Sequence, residues 1–133
     1  EVIKKFGSDK ISYEIAGGLS YDEFIKKYDS SDIFLDQIYS YDRGVAAALG
    51  MCSGKVVFSG FEEEDVFSEN SPSNIKKTGV NATSDVSLLI ESLIYLIENP
   101  EVMLKIKENA YSFAKDNYDS KIVANHYVLQ WNI

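Results

Sequence analysis

Apolar positions fall into two periods along this chain. Residues 33–35 (IFL) and 56–58 (VVF) are short, fully apolar runs, as strands covered on both faces require. Residues 11–15 (ISYEI) alternate apolar with polar and predict a third strand, closed by Ala16-Gly17-Gly18. Gly79-Val80, within residues 75–81, marks a weaker strand candidate. The helical period appears elsewhere. Residues 21–28 set Tyr21, Phe24, Ile25 and Tyr28 on one face, behind a Ser20–Glu23 capping box. Residues 43–51 form an Ala-rich helix with Gly50 inside it, so one face can approach a sheet closely. Residues 86–98 carry an apolar stripe after a Thr83-Ser84-Asp85 cap signal. Asn99-Pro100-Glu101 then ends one helix and starts another, with Asn99 as its cap; that helix reaches about Asn117. Asp119 or Ser120 caps a last helix ending in Tyr127, Leu129 and Trp131. Lys4, Lys5 and Gly7 read as the last turn and cap of an opening helix.

Strands alternating with helices argue for an α/β protein with a Rossmann-like, doubly wound parallel sheet. At 133 residues the chain suits one domain with one core. The start EVIKKFG reads as the tail of a helix, so residues 1–133 are expected to be a fragment of a longer protein.

The segment from Tyr28 to Gly60, YDSSDIFLDQIYSYDRGVAAALGMCSGKVVFSG, is a βαβ unit. In open α/β sheets, phosphorylated ligands sit where a helix N-terminus meets the C-terminal end of a strand. Free N–H groups and the helix dipole both favour an anion there. Arg43, Gly44 and Val45 would offer such groups, and Gly44 would allow close approach. Asp36 and Gln37 end the preceding strand, either facing a ligand or capping the turn. Tyr39 and Tyr41 either stack on a sugar or pack the loop.

Charge and cysteine content narrow the rest. The net charge of -8 argues against nucleic acid as a partner, yet leaves room for an anion in a local pocket. One cysteine, Cys52, allows no intrachain disulfide and fits a reducing compartment. It reads as a small buried apolar residue. No apolar run reaches the roughly 18 residues that span a bilayer. His126 has no second ligand at metal spacing, so no metal site is expected. Glu62, Glu63 and Glu64 read as a solvated charge run in a long polar loop, and Lys55 as a turn residue. Asn81-Ala82-Thr83 matches a glycosylation acceptor by chance.

Three segments in order carry a resemblance. They are SYDEFIKKYDSSDIFLDQ, GVAAALGMCSGKVVFSG and LIENPEVMLKIKENAYSFAKDNYDSKIVANHYVLQW. Together they resemble the C-terminal, donor-binding half of retaining GT-B glycosyltransferases of the large family 4 type, over nearly the whole chain. The resemblance implies a nucleotide-sugar, UDP- or GDP-linked, bound as substrate with no resident cofactor or metal. It implies an acceptor-binding N-terminal domain in the same protein, polysaccharide or glycolipid products, and a cytoplasmic location with peripheral membrane association at its inner face. It also brings Gly18 and Leu19 toward the base, where a plain turn after the first strand is the other reading. It places the last helix across to the other domain, leaving Val123, Tyr127 and Trp131 exposed here; packing on this domain's own sheet is the alternative. The family has two glutamates eight positions apart. Tyr41 and Leu49 stand there in this chain, and neither can act as a carboxylate. A binding or scaffold module that has lost catalysis therefore stays open. A flavodoxin-like signalling receiver lacks its acid pair, because the first predicted strand ends in Ala-Gly-Gly.

Overall fold

The computed structural model describes residues 1–131. It is an α/β fold: a small open sheet of three parallel strands with helices packed against it. The chain runs α1 (Val2–Phe6), α2 (Tyr21–Asp29), β1 (Ile33–Leu35), α3 (Val45–Cys52), β2 (Val56–Ser59), β3 (Val80–Asn81), α4 (Val86–Glu98), α5 (Pro100–Tyr118) and α6 (Ser120–Trp131). The sheet order is β1-β2-β3, so β2 is central. Register pairs Leu35 with Phe58 and Ser59 with Asn81.

Side chains on β2 alternate between two cores, as strand geometry demands. Val56 and Phe58 join Ile75, Val80, Leu96 and Ile106 on one side. Val57 joins Ala47, Met51, Phe61, Ala110 and Ala114 on the other. The long helix α5 serves both cores, through Ile106 and through Ala110 and Ala114. Helix α3 lies close on β2 because Gly50 has no side chain. A Cβ there would fall 2.5 Å from Tyr28 Oη and 2.6 Å from Val57 Cγ2. Tyr28 Oη in turn donates to the Ala46 carbonyl, 3.0 Å away, and ties α2 to α3. Burial first, then the nearby Asp36 and Cys52, pushes the Tyr28 phenol up from its ordinary pKa, so it stays a neutral donor.

Local signals come out as expected. The Ser20–Glu23 capping box forms, Asp85 caps α4 through the Ser87 and Leu88 amides, and Asp119 accepts from Lys121 and Ile122. Three expectations are corrected. Residues 11–15 form no strand: they find no ladder partner among the described residues, and Ile15 stays exposed. The Asn99 side chain does not cap α5; its amide donates to the Tyr95 carbonyl and closes α4 instead. Cys52, the last residue of α3, is exposed rather than buried. Helix α6 packs on α5, has no buried residue, and leaves Val123, Tyr127 and Trp131 exposed.

Two predictions follow from packing and charge. Gly50→Ala should destabilise by about 1–3 kcal/mol despite alanine's better helix propensity, because Tyr28 and Val57 must move. Gly17→Ala meets nothing within 4 Å and should change stability by under about 0.5 kcal/mol; denaturant midpoints compare the two. Lys107 Nζ lies 2.8 Å from Asp32 Oδ1 and that hydrogen bond holds the Asp32 carboxyl below its usual pKa of 3.8. A depressed folded pKa adds stability above the unfolded value and loses it as pH falls through the folded one. Asp32→Asn should therefore cost stability at neutral pH and cost nothing in strong acid. The cost stays under about 1 kcal/mol because Asp32 is largely exposed.

Candidate functional site

Strand register builds the site. Asp36 N–H donates to the Phe58 carbonyl at 2.9 Å and carries the β1–β2 ladder one residue past Leu35. Asp36, Ser59 and Asn81 thus stand side by side where the three parallel strands end. Ile33, Phe58 and Val80 pack into the α4-side core while Phe34 and Val57 pack into the α3-side core, so by alternation these three polar residues fall on the α3 side. Ser59 is fully buried and its hydroxyl donates to Asp36 Oδ2 at 3.0 Å. Asn81 Oδ1 accepts from the Phe61 N–H at 2.9 Å, and its amide nitrogen donates to Glu62 Oε2 at 2.8 Å.

Beyond β1 the chain turns back across β2. A Cβ on Gly60 would fall 2.4 Å from the Asp42 nitrogen and 2.6 Å from the Ser40 oxygen. Only glycine lets the two backbones lie this close, and Asp42 bridges to Phe61 beside it. This contact delivers Gly44 to the N-cap of α3. No side chain caps that end. The first-turn amides of Val45 and Ala46 have no intrahelical partner, as in any helix. Gln37 leans over the tip, with Nε2 3.1 Å from where a Gly44 Cβ would be. Val45 is 80% exposed.

Gln37 also lines a cleft of about 250 Å³ on the α4 side, with Leu35, Ile38, Phe58, Val86 and Leu93 among its walls. Tyr39 and Tyr41 are exposed and outside the lining of the cleft, and the Tyr41 hydroxyl bonds the Glu63 carboxylate. The structure therefore gathers Asp36, Gln37, Tyr39, Tyr41, Arg43, Gly44 and Val45 around one end of the sheet. It does not bring Gly18 and Leu19 to this cleft. They border a separate hollow with Ala16, Gly17, Tyr21 and Phe24, and Gly18 sits at φ +66°, the turn geometry glycine favours.

Arg43 is corrected as a donor to an anion: its N–H donates to Asp42 Oδ1 at 2.8 Å, and its side chain faces inward. Its guanidinium carbon lies 4.6 Å from the Phe113 ring centroid and 5.1 Å from that of Phe61. Nε donates to Tyr118 Oη at 2.6 Å and Nη1 lies 3.0 Å from Glu64 Oε1. Burial alone would lower its pKa; Tyr118 and then Glu64 outweigh burial and raise it, so the group stays charged. The expected solvated run of glutamates holds for Glu62 and Glu63, which are exposed while bonding Asn81 and Tyr41, and is corrected at Glu64, which is half-buried against Arg43.

Sequence reasoning missed the roles of Ser59, Gly60 and Asn81 here; the signal that could have found them is position, at the ends of apolar runs. Lys55 Nζ donates to the Asp29 carbonyl at the opposite end of the sheet, in keeping with a turn role. His126 is exposed, and among the described residues no three His, Cys, Asp or Glu side chains gather at metal distance. No helix among them is long and apolar enough to cross a membrane. No protein-family model, curated protein or solved structure matches the chain.

Asn81→Ala should strand the buried Phe61 N–H and cost about 1–3 kcal/mol. It should also speed hydrogen exchange at the Phe61 amide more than at Val57. Equal acceleration at both would show that Asn81 has no local role.

Proposed function

We propose that this chain is the nucleotide-sugar-binding domain of a retaining GT-B glycosyltransferase, completed elsewhere in a longer protein by an acceptor-binding domain. In this reading the three-stranded sheet belongs to a Rossmann-like, doubly wound domain. The observation that carries it is the α3 tip: amides uncapped by any side chain, at the C-terminal end of a parallel strand, with Gln37 reaching both the tip and the cleft on the α4 side. Main-chain donors fixed there match the charge that builds on a departing diphosphate, and preorganised donors lower the barrier because they need no reorientation. Asp36 and Gln37 would hold hydroxyls of the donor, and Tyr39 and Tyr41 would flank its sugar. UDP or GDP is the leaving group, no resident cofactor or metal takes part, and nucleic acid is no partner. The site would work in the cytoplasm, at the inner face of a membrane where polysaccharide or glycolipid acceptors lie.

A second reading, nucleotide binding without transfer, is favoured by one observation. Tyr41 and Leu49 replace both motif glutamates. Glu63 bonds the Tyr41 hydroxyl.

Titrating UDP and GDP into the full-length protein, followed by backbone amide NMR shifts, tests both. The expected shifts fall on Gln37, Gly44, Val45 and Ala46. Gly44→Val should weaken binding at least about tenfold, or 1.4 kcal/mol. Shifts confined to other segments would overturn the site. Binding with no sugar transfer would select the second reading.

A further inference from the structure

Arg43 is the sole basic residue between Asp36 and Gly44, yet its charge is used entirely inside the protein. We propose that Arg43 is a positioning residue that fixes where the first amides of α3 point. This deepens the nucleotide-site reading, and only its ligand-binding arm rests on that reading.

The loop leading to α3 is gripped from two sides. On its backbone side, Gly60 admits residues 40–42 at near contact, and Asp42 bridges to Phe61. On its side-chain side, the Arg43 guanidinium lies over the rings of Phe61 and Phe113, is hydrogen-bonded to Tyr118 and is paired with Glu64. Phe113 and Tyr118 belong to α5, which also packs along α3. Further along α3, Ala47, Gly50 and Met51 are buried, whereas its first residue is exposed and its N-cap has no side-chain bond. The Tyr28 hydroxyl holds the Ala46 carbonyl in the first turn, and the Arg43 side chain ties the residue just before the N-cap to the body of the domain. Turning its guanidinium toward a ligand would break two ring contacts, a hydrogen bond and an ion pair together.

Arg43→Met, Arg43→Lys and Tyr118→Phe, each in the full-length protein, test the role. The first readout is ¹⁵N order parameters. In Arg43→Met, residues 42–46 should drop from the rigid range near 0.85 toward about 0.6, while β2 and α5 hold. Lysine should not restore them, because it lacks the planar fork that stacks and donates in one plane. The second readout is UDP affinity, expected to fall about tenfold in both Arg43 variants. Order parameters unchanged at 42–46 in Arg43→Met overturn the proposal. Affinity restored by Arg43→Lys also overturns it, since a charge that reaches the phosphate would survive that exchange. Should Arg43→Met fail to fold, Tyr118→Phe removes one oxygen only, and an undisturbed loop there is equally fatal. If the native protein ignores UDP and GDP, the nucleotide reading falls and the order parameters still decide the role of Arg43.

Discussion

Strand β2 is the constraint on which the rest depends. Each of its residues, Val56 to Ser59, is buried, and it pairs on both edges. A parallel strand in that position must feed apolar side chains to two cores at once. One core then takes α4 and the other takes α3, with α5 spanning both. Because the ladder fixes register, it also fixes what lies level at the strand ends. Asp36, Ser59 and Asn81 become neighbours through β2 alone; they are far apart in sequence and share no motif. The polar edge of the sheet is a by-product of packing its apolar middle.

Glycine sets the second tier. Gly50 brings α3 down on β2, and Gly60 brings the incoming loop across it. Together they place the helix start against the sheet end with little room for adjustment. Protein interiors are packed as tightly as organic crystals, so such contacts define position rather than suggest it.

Legibility in the sequence followed the range of each interaction. Caps at Ser20, Asp85 and Asp119 were readable because donor and acceptor lie within three residues. The βαβ unit was readable because apolar runs and the Ala-rich helix mark it locally. The 11–15 segment misled because alternation predicts a surface suited to a strand, while a strand also needs a neighbour to bond. β1 has its neighbour in β2, and residues 11–15 have none among those described. Arg43 misled at short range: its N–H is spent on the neighbouring Asp42 carboxylate, while its side chain is held by Tyr118, 75 positions later, a partner no local pattern announces. Glu62 and Glu63 are exposed as a solvated run requires, and only Glu64 departs, drawn in by Arg43.

An acidic chain proposed to hold a diphosphate has to reconcile two fields. With a net charge of -8 and Asp36, Glu62, Glu63 and Glu64 around this end of the sheet, the long-range potential repels an anion. That potential fades beyond about 8 Å at physiological ionic strength. Inside that distance the arrangement of individual groups decides. Glu64 is neutralised by Arg43, and Glu62 and Glu63 each accept a hydrogen bond. The α3 amides, by contrast, keep their donors unspent and aligned with the helix dipole. The local field at the tip can therefore differ in sign from the field of the whole surface. A ligand drawn by such a field must reach the amides directly, which favours a compact group with several acceptor oxygens over a diffuse polyanion.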